Sequence, residues 1–463
     1  MSIVDNFYKN VLNIIYTNFT MRINDKIKNS ICLIASHGLA AIYIFLRMKI
    51  DLKEAFNIGN FDIACFVFFM LVFLVVFGTK HQINLEVSKS NRKFKILYFA
   101  FAIAMFISLI VIRPIWEIKI SIIAMIFLFP VFYYISFNSD DYAFLIRKIS
   151  IAFVNIGVLL HIGNYILYPY ENNNIPYKAS FENPNTLAMT IVPTLLCAIY
   201  LFSIEEKFKW FYLIVAGYTM GIIMLCESRT SIAMCIVSLT CWGIYYIVHS
   251  KIFKTTYIKS VITIILAICI LIISVFVSDK INLTNNSTST IKESVNIESQ
   301  VEEQSSLDKV ITKSKIRTGN DLDGFLSGRV ELWKYYTKDI TAFGHDYDAA
   351  KEQRTEDNIT LGTHNTLISY LYICGLVPAL IMLLIQLFVA IYIIKRMFCR
   401  YKVEEIENKR SLPQLDLFII LIAPAYCLAG LVEELIWVNR WAIATLFFIS
   451  LAPMFYKRRL KRW

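Results

Sequence analysis

The sequence is poor in charge. Charged residues make up 17% of its 463 residues, whereas 57% are hydrophobic. A soluble globular chain carries roughly a quarter charged residues. Here runs of about 20 apolar residues recur, long enough to cross a hydrocarbon core of ~30 Å. The composition excludes an ordinary soluble domain and predicts an all-α polytopic membrane protein.

Cysteine is absent from the longest hydrophilic stretch, between Ser278 and Gly362. Most cysteines fall in or at the ends of apolar runs, which argues against a disulfide framework. The N-terminal segment, residues 1–29, has no compact apolar core followed by a cleavage site, so no signal peptide is predicted. Its polar and mixed composition allows an amphipathic helix on the inner surface of a membrane.

The apolar pattern predicts twelve spans, and Lys and Arg predict their direction. Of the 46 Lys and Arg, 27 fall in segments on the side of the N-terminus and 8 in the short segments opposite. Because these residues are retained on the cytoplasmic side, both ends are predicted to be cytoplasmic. The charge is assigned to topology and not to nucleic-acid binding. The spans are 30–48, 62–78, 95–112, 119–137, 147–168, 185–203, 208–226, 230–248, 258–277, 365–394, 415–432 and 440–456.

A large extracytoplasmic loop is predicted between the ninth and tenth spans, at residues 278–364. Its first part, 278–319, is rich in Ser, Thr, Asn and Glu, and we expect it to be mobile. Apolar and aromatic residues return in 320–364, which we expect to fold on the outer face. There Ser327 is placed to cap a helix on which Arg329 and Trp333 share one face. A basic cytoplasmic tail follows at 457–463.

Four features share the predicted outer face: "YPYENNNIPYKASFENPN", the hairpin "CESRT", the long loop, and "VEELIWVNR". Arg229 begins the eighth span, where an arginine is a functional suspect unless it pairs with Glu227 or reaches outwards to water. Arg329, in the long loop, is unremarkable by itself. His364 opens the tenth span and is either a general base or a helix-start contact.

Asparagine and acidic residues complete the candidate list. Asn183 is placed to cap the helix that begins at Pro184, and Asn185 lies beside it. Asn365 follows His364 directly. The patterns "DLD" at 321–323 and "DYD" at 346–348 offer oxygen ligands for a divalent cation. Such patterns are common in solvated loops, so no metal site is predicted.

These residues together favour one chemistry. Two guanidinium groups suit a diphosphate, because each presents forked donors to phosphate oxygens. A nearby imidazole suits removal of a proton from a hydroxyl. Together these groups could catalyse the transfer of a sugar from a lipid diphosphate to a hydroxyl acceptor.

The chain resembles the bacterial O-antigen ligase and polysaccharide polymerase superfamily. The resemblance is carried by "SFENPNTLA", "SRTSIA", "SGRVELW" and "THNTLISYLYICGLVPA", in that order, and covers residues 150 to 400. It implies a glycosyltransferase C-like fold of about twelve helices and a donor glycan on undecaprenyl diphosphate. It also implies that Arg229 and Arg329 hold the diphosphate and that His364 is the base, with no metal or cofactor. The insert at 282–318 departs from the family pattern.

The acceptor stays open at this point. A polymerase uses a second lipid-linked repeat unit, as in capsule, exopolysaccharide or O-antigen synthesis, and we favour it. An O-antigen ligase uses the lipid A core, and protein O-glycosylation is a third option. Asn183, Asn185, Trp333 and Asn365 are the expected substrate-binding residues, and a chain-length regulator is a conceivable partner. A lipid-linked sugar flippase is the rival of another class, but the two halves of the chain show none of the repeat that transporters often have.

Overall fold

The computed structural model describes residues 2–48, 60–83, 91–114, 116–170, 176–253, 256–290, 329–357, 359, 362–398 and 411–455. Within these ranges the chain is helical, and its only β-type pairing is an isolated bridge between Met48 and Phe181. The fold therefore has the all-α class that hydropathy predicts. The helices are α1 Ser2–Asn18, α2 Asp25–Phe45, α3 Asn60–Gly78, α4 Arg92–Ile112, α5 Trp116–Ile123, α6 Phe129–Ile135, α7 Ser139–Leu167, α8 Pro184–Ile204, α9 Lys209–Leu225, α10 Arg229–Val248, α11 Tyr257–Thr290, α12 Arg329–Tyr336, α13 Tyr347–Glu356, α14 Thr366–Ser369, α15 Leu376–Phe398, α16 Ser411–Ala429 and α17 Ala442–Ser450.

The described residues include nine helices long and apolar enough to cross a membrane. Three shorter apolar helices, Phe66–Gly78, Lys209–Leu225 and Ala442–Phe455, fall where further spans are predicted. The chain is thus a multi-pass membrane protein. The count of twelve crossings stays a prediction.

Helices α10 and α16 pack side by side in opposite directions. The Tyr245 hydroxyl, near the end of α10, donates to the Pro413 carbonyl near the start of α16 at 3.1 Å. Equal lengths of helix separate Tyr245 from Arg229 and Pro413 from Ala429. Arg229 therefore lies level with Ala429, at the end of the bundle from which the loop 430–441 emerges.

Several loops meet at that end, which we call the His364 face. Backbone hydrogen bonds join Tyr177 to Leu225 at 2.9 Å and Thr366 to Gly430 at 2.7 Å. The face consists of residues 46–48, 176–183, 226–228, 329–357, 362–366 and 430–441. The described parts of the four features predicted on one face thus lie at one end of the bundle. Which side of a membrane this end faces stays a prediction.

The N-terminal segment belongs to the opposite end of the bundle. Asp5 of α1 forms a buried ion pair with Lys95 of α4, with Oδ1 and Nζ 2.8 Å apart. Helix α2 begins at Asp25 and not at residue 30, because the Asn24 side chain caps it by accepting from the Lys26 amide. The segment predicted as a separate cytoplasmic piece therefore holds one helix and the first turn of another.

The helix that contains the ninth span continues beyond the span itself, whose apolar part, Tyr257–Ser274, lies close to the predicted 258–277. Helix α11 continues to Thr290, whereas the apolar pattern ends at residue 277. Residues 257–290 contain neither proline nor glycine, so nothing in the sequence interrupts the helix. The rest of the segment predicted to be mobile, from residue 291, lies outside the described residues, as does the predicted cap Ser327.

The predicted tenth span, 365–394, is wrong at its start. Helix α14 and a π-helical turn, Tyr370–Cys374, come first, and the membrane helix begins only at Leu376. Between them Gly375 has a φ of +95°, and a Cβ there would lie 2.4 Å from the Phe343 amide nitrogen. The Leu376 amide donates to the Thr341 carbonyl at 2.8 Å. Hydropathy does not reveal this break, because a contact with a distant loop segment produces it.

The last apolar helix, α17, is short at the His364 face. Phe448 of α17 packs on Phe101 of α4, with ring centroids 6.5 Å apart. Towards the His364 face, α17 extends six residues from Phe448 to its first residue, Ala442. In the same direction α4 extends eleven residues from Phe101 to its last residue, Ile112. At 1.5 Å per residue the difference is about 8 Å. The loop 430–441 therefore starts below the end of α4, and we call the partly exposed surface at Arg329, Glu433 and His364 the recess.

Candidate functional site

Helix α12 brings Arg329 to the His364 face and is fastened there by Trp333. The Trp333 indole N–H donates to the Thr363 carbonyl at 2.9 Å, one residue before His364. The predicted helix that carries Arg329 and Trp333 is confirmed. Trp333 is half-buried, and in this structure it attaches the helix to the segment that carries the histidine.

His364 lies in a strained backbone conformation. Its φ is +48°, in the left-handed region, which costs a residue other than glycine about 1–3 kcal/mol. The flanking residues hold it there, because Thr363 bonds to the Ser369 hydroxyl and Asn365 caps α14. Such strain is concentrated at functional sites.

The loop 430–441 is fixed by Asn365 and Thr366. Asn365 accepts from the Ile368 amide at 3.0 Å and donates from Nδ2 to the Leu431 carbonyl at 3.0 Å. The Thr366 hydroxyl donates to the Glu433 carbonyl at 2.8 Å and accepts from the Leu435 amide at 2.9 Å. Asn365, expected to bind substrate, thus has both ends of its amide bonded to the protein backbone. The pair positions the backbone on both sides of Glu433.

Glu433 lies between the predicted arginine and the predicted base. Its Oε1 is 3.8 Å from Nη2 of Arg329, and its Oε2 is 3.8 Å from Nδ1 of His364. The exposed fraction of the side chain is 17% for Glu433, 20% for Arg329 and 35% for His364. These are ion-pair distances, longer than a hydrogen bond. One carboxylate therefore holds a guanidinium and an imidazole together beside accessible space.

A second carboxylate, Glu434, lies next to the same histidine. Burial raises the pKa of Glu434 above its ordinary value, and the charges of Arg440, His364 and Arg354 oppose the rise. Gly362 approaches it closely, since a Cβ there would be 2.9 Å from the carboxylate oxygen. The segment before His364 therefore wraps around Glu434.

Arg354 of α13 connects this cluster to the rest of the predicted loop. It hydrogen-bonds the Tyr336 hydroxyl, which lowers the pKa of Tyr336, although burial has the larger and opposite effect. Tyr336 is fully buried at the end of α12. Helices α12 and α13 are thus joined through a buried tyrosine whose partner also acts on Glu434.

Arg440 is held by a further arginine at the end of α2. The Arg47 guanidinium donates to the Arg440 carbonyl at 3.0 and 2.9 Å and lies 3.8 Å from the centroid of the Trp441 ring. Burial lowers the pKa of Arg47 to about 10; the charge of Arg440 adds to this effect, and Glu182 opposes it. The loop before α8 therefore reaches the same part of the face.

The remaining predicted residues lie at this end of the bundle. Asn183 caps α8 by accepting from the Thr186 amide at 2.8 Å, which confirms the predicted cap. Asn183 and Asn185 are both exposed. Arg229 is the first residue of α10, half-buried and level with the end of α16. The structure brings Arg329, Trp333, His364 and Asn365 into direct connection, and it places Arg229 and the two asparagines on the same face.

Four charged residues of this site were not predicted from the sequence: Glu433, Glu434, Arg354 and Arg440. The segment "VEELIWVNR" was placed on the correct face, but its charged residues were not nominated. Adjacent acids between two apolar spans are a signal in themselves, because a charge at a membrane helix is costly unless it is solvated or paired. Arg354 carried no comparable signal, since it lies in a polar stretch where arginines are ordinary.

No protein-family model matches this chain, and no curated protein sequence matches it either. The family resemblance of the short motifs therefore supplies a hypothesis.

Proposed function

We propose that the protein is a membrane glycosyltransferase that polymerises lipid-diphosphate-linked oligosaccharides on the outer face of the cytoplasmic membrane. The observation that carries the proposal is the Arg329–Glu433–His364 arrangement in a recess at one end of the bundle. It offers a cation for a departing diphosphate and an imidazole for an attacking hydroxyl. The donor class, a glycan on undecaprenyl diphosphate, follows from the family resemblance.

The electrostatics of the recess suit an anionic leaving group. The cluster contains three arginines and two glutamates, so positive charge is in excess: Arg329, Arg354 and Arg440 against Glu433 and Glu434. Arg229 lies at the same end of the bundle. Preorganised cations stabilise charge that develops in a transition state, an effect of several kcal/mol. We assign these groups to the headgroup level, where the diphosphate of a lipid donor would lie.

The transfer step follows from these positions. The hydroxyl oxygen of the acceptor glycan attacks the anomeric carbon, and a glycosidic bond forms. The bond from that carbon to the diphosphate oxygen breaks, and its electron pair leaves with the diphosphate beside Arg329. With Nδ1 of His364 towards Glu433, Nε2 is the nitrogen that accepts the proton of the hydroxyl. Undecaprenyl diphosphate is the leaving product, and no cofactor is required.

The test uses the purified full-length protein and a lipid-diphosphate oligosaccharide repeat unit. A ladder of lengthened products supports the polymerase. A single transfer to added lipid A core would assign the ligase instead. In sealed vesicles, a lipid that crosses the bilayer unaltered, with no new glycosidic bond, would overturn the proposal in favour of a transporter.

The role of His364 is tested with a substitution that the backbone tolerates. Asparagine adopts the left-handed region more readily than most residues, so His364→Asn keeps the local fold and removes the base. We expect turnover to fall by about 10²–10⁴-fold, as for loss of a general base, while donor binding persists. His364→Gln and His364→Ala should fall alike. Parental turnover in the asparagine variant would make His364 a purely structural residue.

A further inference from the structure

A cleft of about 410 Å³ lies on the His364 face beside the charged cluster. It is formed by the end of α12, by α13 and by the π-helical turn before α15. Its walls include two tyrosines, Tyr335 and Tyr372, and the amide side chain of Gln353. Arg329, His364 and Glu433 do not line it. The cleft is therefore a separate feature, outside the residues assigned to the transfer step.

The cleft and the charged cluster share a wall. Helices α12 and α13 line the cleft through Tyr335 and Gln353, and the next residue on each helix, Tyr336 and Arg354, bonds to the other. The Arg354 charge acts both on Tyr372 of the cleft and on Glu434 of the charged cluster. Tyr336 is buried against Tyr372, with ring centroids 4.8 Å apart. A flexible molecule that ends at His364 can thus continue over this wall into the cleft.

The side chains that line the cleft are held in place. The Tyr335 hydroxyl donates to Asp357 at 2.6 Å, which fixes the ring between the two helices. The His345 ring lies 5.4 Å from that of Tyr372, and its Nε2 lies 3.1 Å from the Asp339 carbonyl oxygen. Fixed aromatic faces with a few polar groups are typical of small-ligand sites. Rings, carboxylates and an amide match the apolar faces and hydroxyl edges of sugars.

The charge of the cleft restricts which sugars it accepts. Asp339, Asp346 and Asp357 line it, against the single lysine Lys338. With the Arg354 guanidinium, which acts on Tyr372 of the cleft, three carboxylates and one lysine leave one net negative charge. Like charge across a site disfavours an anionic ligand. The cleft therefore differs in sign from the arginine-rich recess beside it.

We infer that this cleft binds an uncharged or amino-sugar segment of the glycan substrate and rejects chains of uronic acids. The inference rests on the proposed function, since it assigns the cleft to the substrate of that same site. The recess then holds the diphosphate and the reacting sugar, and the cleft holds sugars further along the chain. Repeat units bearing carboxylates at these positions would be poor substrates.

The binding test is independent of catalysis. Full-length protein in nanodiscs, carrying Arg329→Lys to suppress turnover, is titrated with N-acetylchitotetraose, with the chitosan tetramer and with tetragalacturonate, and binding is followed by saturation-transfer NMR. We expect the first or second probe to bind and the third to bind more weakly. Tyr335→Leu and Gln353→Leu should each weaken binding by about tenfold. Lys351→Leu, on the exposed side of α13, is the matched control and should bind as the parent does.

The second part of the binding test removes one negative charge from the cleft. Asp339 is well exposed, so Asp339→Asn is expected to fold and to increase the affinity for tetragalacturonate. Binding of none of the three probes, preference for the acidic probe, or binding by both leucine variants as tight as that of the parent would each overturn the inference. Because no turnover is measured, glycan binding without polymerase activity would leave the cleft assigned and refute only the proposed reaction.

Discussion

Removal of the Glu433 charge tests the central contact of the proposed site. Glu433 lies 3.8 Å from both Arg329 and His364. At that distance a unit charge pair interacts by about 1 kcal/mol in water and by about 4 kcal/mol at an effective dielectric constant of about 20. The three side chains are partly exposed, so the true value lies between these limits and below the upper one. The imidazolium forms only as the proton moves, so this energy stabilises the transition state more than the bound substrate.

Glu433→Gln should therefore lower kcat by between about fivefold and about a thousandfold, with a smaller change in KM. The assay is the rate of ladder formation from a lipid-diphosphate repeat unit. Glu433→Asp retains the charge at a greater distance, so its kcat should lie between that of the parent and that of Glu433→Gln. Glu352→Gln is the matched control, because Glu352 is exposed on α13 of the same face. A folded Glu433→Gln variant with the parental kcat would refute the reasoning and leave Glu433 a surface carboxylate.

Three further substitution experiments test other features of the structure. Arg329→Lys and Arg229→Lys should each lose much of the polymer while membrane content stays unchanged, because an ammonium is a point charge without forked donors; full polymer from both would mark them as ordinary solvated arginines. His364→Gly should unfold at a higher temperature than His364→Ala, because glycine adopts a positive φ without steric penalty. The free energies of unfolding should differ by about 1 kcal/mol, and equal midpoints of thermal unfolding would contradict backbone strain at residue 364. Gly375→Ala should lower the unfolding temperature, because a Cβ there meets backbone at 2.4 Å, whereas Gly163→Ala, whose Cβ would meet open space, should not.

Much of the bundle was predictable from hydropathy, because a membrane helix is defined by a local property of about 20 residues. Capping was predictable for the same reason, and the Asn183 cap lies where the short-range pattern places it. The predicted limits fail where a distant contact decides the conformation. The break at Gly375 depends on residues 341–344, and no property of residues 365–394 alone reports that contact.

The candidate site shows the same division. Arg329 and His364 could be nominated from residue type and predicted sidedness, and the structure connects them. The carboxylate that connects them, Glu433, is far from both in sequence, and its position depends on hydrogen bonds from Asn365 and Thr366. The exposed asparagines and Arg229 lie on the same face, and Asn183 caps α8. Their assignment to substrate stays a prediction.

Glu434 gives the fold a pH dependence whose sign can be worked out. Burial raises its pKa above the ordinary 4.5, although Arg440 and its other cationic neighbours oppose the rise. Between the ordinary value and the raised one, the folded state binds more protons than the unfolded state, so the free energy of unfolding falls as pH increases through that window. Glu434→Gln, which is neutral throughout, should remove this part of the slope and unfold at a higher temperature than the parent above the window. Thermal unfolding of both proteins from about pH 4 to about pH 8 measures the effect, and Glu352→Gln, with an exposed carboxylate, should keep the parental slope. A lower midpoint for Glu434→Gln at neutral pH would mean that the attraction to Arg440 and Arg354 exceeds the penalty of burial, and Glu434 would then be a charged partner that the cluster requires.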